Sequence, residues 1–204
     1  MNTSKQASSV YNGIAEQYAK EFSKPSEHIE EFLALLPKNA KILDVGCGVG
    51  VDAGFMVAEG FEIIGIDLSK EMLNIARQKF PQIDFRQQNM IEIDFPQNSF
   101  NGILASFSLI HIAKKDIPPL LKKFHNLLKK TGVIYIALQG VKSEEIFVNG
   151  PFNRDEKFFL NVLSFDEIKN LLIDAGFSIF KKYERAPKSI KELNYLKLYV
   201  IAKK

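Results

Sequence analysis

The stretch KILDVGCGVGVDAG, residues 41–54, carries Gly46, Gly48 and Gly50 at alternate positions, with Asp44 two residues before the first of them. Glycine adopts backbone conformations closed to other residues and lets N–H groups come close to a ligand. A plain strand-to-helix turn needs one such residue, so three point to a bound molecule. A second acid, Asp67, follows the apolar run FEIIGI about 20 residues after the loop, where a carboxylate can accept both hydroxyl protons of a ribose. That combination indicates a nucleoside and leaves open whether it is a dinucleotide or an adenosyl amino acid. A P-loop is excluded, because no Lys–Ser or Lys–Thr follows the glycines. The dinucleotide fingerprint G-x-G-x-x-G fits less well, since the residue three beyond Gly48 is Val51 and Gly50 falls one place early.

A ligand loop of this kind needs a strand that ends at it and a helix that leaves it. Apolar runs at 41–45, 61–66, 83–86, 101–106 and 132–138 alternate with helical stretches at 51–59, 70–79 and 116–129. This alternation predicts a parallel sheet with helices on both faces. A helix over 165–175 and strands over 177–184 and 194–202 follow. The last two strands leave no room for a crossover helix, so they pair antiparallel at the end of the sheet. Ahead of the sheet, residues 8–22 place Val10, Ile14, Tyr18 and Phe22 at four-residue intervals, which predicts an amphipathic helix. Residues 26–36 predict a second helix with Ser26 as its N-cap. The stretch 139–164 is longer than an ordinary connection and carries Phe147, Phe152, Phe158, Phe159 and Arg154. It reads as a lid-like insertion.

Composition bounds the function classes. With 204 residues, 46% hydrophobic and 25% charged, the chain can bury one ordinary core, so residues 1–204 are expected to form a single domain. A net charge of +3 falls short of the concentrated positive charge of a nucleic-acid groove. The lysine doublets 114–115, 122–123, 129–130, 181–182 and 203–204 read as solvated faces, the first three on one helix. They are the only feature that keeps an RNA substrate open. Cys47 is the one cysteine, which excludes an internal disulfide, and no Cys/His cluster has metal spacing. The N-terminus lacks the apolar core of a secretory signal. The charge-free stretch 97–113 is too short to span a bilayer and is interrupted by Asn, Ser and His. A cytoplasmic protein with no metal and no membrane partner is the expectation.

At the level of motifs, the chain resembles the class I S-adenosylmethionine-dependent methyltransferases of the small-molecule type. ILDVGCGVG resembles that family's first motif, GIDLSKEMLNIARQKF its second and FNGILASFSLIHI its fourth-strand motif. FHNLLKKTGVIYIAL and LSFDEIKNLLIDAGF resemble the later helix and strand motifs, and VYNGIAEQYAKEF an N-terminal cap helix within residues 1–37. The order is the family's order from about residue 10 to the end. The resemblance implies a Rossmann-like, doubly wound sheet of seven mostly parallel strands with a terminal antiparallel hairpin.

It also implies S-adenosylmethionine as cofactor and methyl transfer to a small-molecule acceptor by in-line displacement, a reaction that asks for alignment and desolvation rather than a nucleophilic side chain. Gly46 and Gly48 would pass under the amino-acid end, with Asp44 near the ammonium and Asp67 on the ribose. Leu68 and Met90 would sandwich the adenine, beside Asn89, which stands where the family more often has Asp. Cys47, Met72, Ser106, Tyr11 and Tyr18 complete the implied cofactor contacts, the two tyrosines closing over it. His111 is the candidate general base; its other role would be to hold its loop by hydrogen bonding. Arg154 could meet an anionic substrate. The family's members that methylate amino groups of adenine or glutamine carry [ND]-P-P-[YF] after the fourth strand. Here the residues are Ala105-Ser106-Phe107-Ser108, which argues against such substrates. An oxidoreductase of the NAD type and a non-catalytic nucleoside-binding module remain as alternatives.

Overall fold

The structure, a computed structural model, describes residues 3–150, 152, 154–189 and 192–204, without the side chains of residues 154 and 155. The strands β1 (Lys41–Val45), β2 (Glu62–Asp67), β3 (Asp84–Gln87), β4 (Phe100–Ser106) and β5 (Leu128–Gly140) run parallel to one another. With β8 (Ser178–Arg185) and β9 (Leu196–Lys203) they form one seven-stranded sheet in the order β3-β2-β1-β4-β5-β9-β8. β9 is antiparallel to both of its neighbours, as the missing crossover requires.

The strands are apolar on both faces because helices cover both. Leu43, Val45, Ile103, Ala105, Ile134 and Ile136 pack on one side with α5 (Ile117–Leu127) and α6 (Phe165–Asp174). Ile42, Leu104, Val133, Tyr135 and Ala137 pack on the other with α2 (Ile29–Leu33), α3 (Val51–Ala58) and α4 (Lys70–Lys79). Neighbouring residues such as Ile42 and Leu43 go to opposite clusters, the alternation that a pleated strand imposes. The strand order reverses between β1 and β4, so the carboxyl ends of these two strands open the crevice in which such sheets bind ligands.

Two elements roof the crevice. The first is α1 (Thr3–Glu21), which buries Ala7, Val10, Ile14 and Ala15. Asn12 ties it down by accepting from Ser69 Oγ at 2.7 Å and from the Glu71 amide at 3.2 Å at the start of α4. The second lies within residues 139–164, where β6 (Glu144–Gly150) and β7 (Arg154–Val162) form a separate antiparallel hairpin. Phe158, Leu160 and Val162 are buried on one face of β7, while Phe159, on the other face, packs against Phe147, which is half exposed. The Arg154 side chain lies outside the described residues.

Several boundaries differ from the sequence expectation, among them those of α1, which begins at Thr3 rather than at residue 8. The helix expected over 116–129 ends at Leu127, and Lys129–Lys130 belong to the start of β5, so the first three lysine doublets do not share one helix. The helix expected over 26–36 is confined to 29–33, and its N-cap is His28 with a φ of 63°. Ser26 is not that cap. Its hydroxyl and amide both turn to Asp52 instead, a stronger partner than an orphan helix N–H because the acceptor is a carboxylate.

Candidate functional site

From β1 the chain turns through Gly46, Cys47, Gly48 and Gly50 into α3. The amides of Gly46 and Cys47 both donate to the Ile66 carbonyl, at 2.7 and 3.0 Å, and pin the loop to the end of β2. Gly46 and Gly48 have φ of 73° and 52°, the left-handed region that favours glycine. Space separates their roles. A Cβ on Gly46 would lie 2.4 Å from Ser108 Cβ, whereas one on Gly48 would meet nothing within 4 Å. Gly48 therefore borders open space, a cradle into which a ligand can settle.

Three carboxylates surround this cradle. Asp44 is 2% exposed, and its Oδ2 is buried without a hydrogen-bond partner. Burial pushes its carboxyl well up, and repulsion from Asp52 and Asp67 adds to the shift. Asp67 is also raised by burial, although its Oδ1 accepts from the Ser69 amide at 2.7 Å and its Oδ2 from the Gly48 amide at 2.9 Å. Asp52, in the first turn of α3, is raised by burial against the two bonds from Ser26, at 2.7 and 2.6 Å. Among the described residues no ion pair neutralises any of the three. A ligand bearing positive charge would supply what the cluster lacks.

The crevice holds two cavities that share Tyr11, Tyr18, Gly46, Gly48, Ser106 and Phe107. The narrower, about 100 Å³, is lined by Asp67, Leu68, Met72, Asn89, Met90 and His111 besides these, and is closed above by Ser4, Ala7 and Ser8 of α1. Leu68 and Met90 are only partly buried and flank it, so they are not plain core residues. Asn89 Oδ1 accepts from the Ile91 amide at 3.2 Å and caps a short 3-10 turn, while its amide nitrogen has no partner among the described residues. Cys47 lines the wider cavity instead, and burial raises its thiol well above the ordinary range. Every cofactor contact inferred from sequence thus borders one of the two cavities, except Asp44, which lies beneath the loop.

His111 joins the two elements that roof the crevice. Its Nδ1 is 3.0 Å from the Phe159 carbonyl of β7 and its Nε2 is 3.0 Å from the Tyr11 hydroxyl of α1. A carbonyl only accepts, so Nδ1 carries the proton and Nε2 accepts from Tyr11. Burial lowers the imidazole to about 4. The Tyr11 and Tyr18 rings meet edge to face at 5.8 Å, and burial raises both phenols, that of Tyr18 to about 12.

The wider cavity, about 560 Å³, has aromatic walls from Phe22, Phe107, Phe158 and Tyr199. Residues 22–27, between α1 and α2, form one side. Ser26 anchors this side to Asp52 and, through its hydroxyl, to Ser106 Oγ at 2.6 Å. Glu27 anchors it to Arg185 at 2.7 Å and Lys188 at 3.0 Å. Sequence reasoning missed Ser26 in this role, and also Asp52, Gln139, Arg185 and Lys197. A signal existed for two of them: Lys197 interrupts the apolar run of β9, and Gln139 follows the apolar run of β5.

Residues 16–182 match the family described as methyltransferase domain. A Bacillus subtilis (strain 168) protein, YqeM, named as a methyltransferase, is 31% identical over 156 residues, 72% of this chain and 63% of that protein. The demethylmenaquinone methyltransferase of Chlorobaculum parvum is 38% identical over 100 residues, 48% of this chain and 41% of the relative. The chain thus spans less than two thirds of the length of these relatives. The solved 1,6-didemethyltoxoflavin-N1-methyltransferase of Burkholderia thailandensis, with bound 1,6-didemethyltoxoflavin and S-adenosylhomocysteine, shares the fold. It aligns with a TM-score of 0.73 at 18% identity over 100% of this chain and 91% of its own.

Proposed function

The chain belongs to the family of methyltransferase domains, and from that premise we propose that it transfers a methyl group from S-adenosylmethionine to a small-molecule acceptor. The observation that carries this reading is the set of three unneutralised carboxylates around the open face of Gly48. A dinucleotide brings an anionic pyrophosphate to this turn, and Asp44 and Asp52 repel it. An ammonium and a sulfonium are attracted instead. The residues present therefore fit an adenosyl amino acid and disfavour NAD.

Asp44 would hold the ammonium, Asp67 the ribose hydroxyls through its remaining lone pairs, and Leu68 and Met90 the two faces of the adenine. The cofactor, when bound, supplies a methyl group on an electrophilic sulfonium. The chain's own contribution is to align the acceptor in the wider cavity and exclude water behind Phe22, Phe107 and Phe158. Where the acceptor must lose a proton, His111 is not reached directly, because Tyr11 occupies Nε2. The proton passes to the Tyr11 oxygen as the tyrosine proton passes to Nε2. The narrow cavity, about 100 Å³, is smaller than the ~150 Å³ void that admits a benzene ring. Ser4, Ala7 and Ser8 of α1 close this cavity above, and Gln139 and Phe158 wall the neighbouring one, which supports a lid-like role for α1 and residues 139–164 together. The demethylmenaquinone and 1,6-didemethyltoxoflavin methyltransferases are named for small-molecule acceptors, which supports a small-molecule acceptor here.

Calorimetric titration with S-adenosylhomocysteine and with NAD tests the reading. S-adenosylhomocysteine should bind and NAD should not, and Asp67→Asn should weaken the former at least tenfold. Binding of NAD alone would overturn it.

A further inference from the structure

The end of the wider cavity remote from the glycine loop is built on two buried polar residues. Lys197 and Gln139 face each other as a cross-strand pair on β9 and β5, 3% and 6% exposed, in strands otherwise apolar at this level. Burying an ammonium is costly, and burial draws that of Lys197 down to about 8. It donates to Gln139 Oε1 at 2.8 Å, to the Leu193 carbonyl at 2.7 Å and to the Tyr195 carbonyl at 3.0 Å, which uses all three N–H groups. The nearest carboxylate, Glu192, stands 3.8 Å away and is held by Arg185 at 2.7 Å.

This arrangement has a consequence for Gln139. An ammonium accepts nothing, so the amide must turn its oxygen to Lys197 and its nitrogen away. That Nε2 has no partner among the described residues, in a side chain that borders the cavity. The neighbouring cation thus fixes which end of the amide faces Lys197 and leaves its two N–H donors to the cavity that Gln139 lines. The charges agree. Arg185, Lys188 and Lys197 outnumber Glu27 and Glu192 at this end, whereas the glycine-loop end carries Asp44, Asp52 and Asp67.

We propose that Gln139, oriented by Lys197, recognises a carbonyl or carboxylate oxygen on the methyl acceptor, at the end opposite the atom that is methylated. The inference rests on the methyltransferase reading. Ala137 pairs with Ser106 at the donor end, and Gln139 lies two residues further along the neighbouring strand. At ~3.3 Å per residue and ~4.8 Å between strands, the span is about 8 Å. Between the aromatic walls of Phe107 and Phe158 that length suits a fused two-ring body.

The test is calorimetric titration of the full chain, with and without saturating S-adenosylhomocysteine, using 2-naphthoate, 2-naphthamide and 2-naphthylmethylamine as probes. Naphthoate and naphthamide should each bind at least tenfold more tightly than the amine. A further advantage of naphthoate over naphthamide identifies the carboxylate as the source of the oxygen, and equality identifies the carbonyl. Gln139→Glu keeps the side chain's shape and its contact with Lys197 but removes the donors, so it should invert the order in favour of the amine. Should that variant fail to fold, the Gln139 side-chain amide resonances of the unmodified protein should shift on adding naphthoate. An amine that binds as tightly as naphthoate, no measurable naphthoate binding, an unchanged order in Q139E, or unmoved amide resonances would each overturn the proposal. Loss of S-adenosylhomocysteine binding instead strikes the methyltransferase reading, while the probe order is still read.

Discussion

His111 makes the pH dependence of folding a direct readout of the site. The folded protein holds its imidazole at about 4, because the ring is buried between α1 and β7 with Nδ1 on the Phe159 carbonyl and Nε2 on Tyr11. In the unfolded chain it titrates near ~6.5. The unfolded state therefore binds the proton first, so stability is complete above pH 6.5 and falls as pH drops towards 4. The loss is about 2 kcal/mol between pH 7 and pH 5 and about 3 kcal/mol once both states are protonated. The raised carboxyls of Asp44, Asp52 and Asp67 act in the opposite direction. Urea unfolding of the protein and of His111→Gln at pH 7 and pH 5 cancels their contribution. The Gln side chain can donate to Phe159 and accept from Tyr11, yet it does not titrate. The unmodified protein should lose about 2 kcal/mol more than the variant over this interval. Proton NMR should show one of the three histidine signals still neutral at pH 5. Parallel losses in the two proteins, or no such neutral signal, would refute the buried neutral imidazole and with it the relay through Tyr11.

Substitutions in the glycine loop should separate folding from binding. Gly46→Ala drives a Cβ to 2.4 Å from Ser108 and should cost about 3 kcal/mol in thermal or denaturant unfolding. Gly48→Ala meets open space and should cost only the ~1–2 kcal/mol of its left-handed backbone, yet weaken S-adenosylhomocysteine binding more than tenfold because the methyl occupies the cradle. Ser26→Ala removes the hydroxyl bond to Asp52 and should cost about 2 kcal/mol, with faster amide hydrogen exchange confined to residues 22–28. S-adenosylhomocysteine should slow exchange in α1, and a helix equally protected with and without it would contradict the lid-like role proposed for α1.

The parts read correctly from sequence are those that local physics dictates. Apolar runs alternating with amphipathic stretches admit only a sheet covered on both faces, and the short link before β9 admits only an antiparallel end. The loop's glycines stand where the backbone turns left-handed, so their spacing marked the turn that opens the crevice. Helix ends were less legible. Ser26 has the residue type of an N-cap, but a carboxylate from α3, distant in sequence, competes for the same hydroxyl and wins. Likewise the chain order of residues 128–132 allowed a helix to continue, and pairing of Leu128 with Phe100 ends it.

Sequence alone determined the sheet, its crevice and the glycines and acids that border it, because each follows from periodicity or from the conformations that a glycine or an acid permits. Only the tertiary structure decided what those residues do to one another. Asp44, Asp52 and Asp67 become one unneutralised cluster because three separate elements bring them beneath the same loop. His111 becomes a neutral link rather than an open base because α1 and β7 take both of its nitrogens. Gln139 becomes an oriented donor because β9 sets Lys197 across from it. Charge repulsion, burial and hydrogen-bond direction all depend on distances between groups far apart in the chain, and those distances exist only once it has folded.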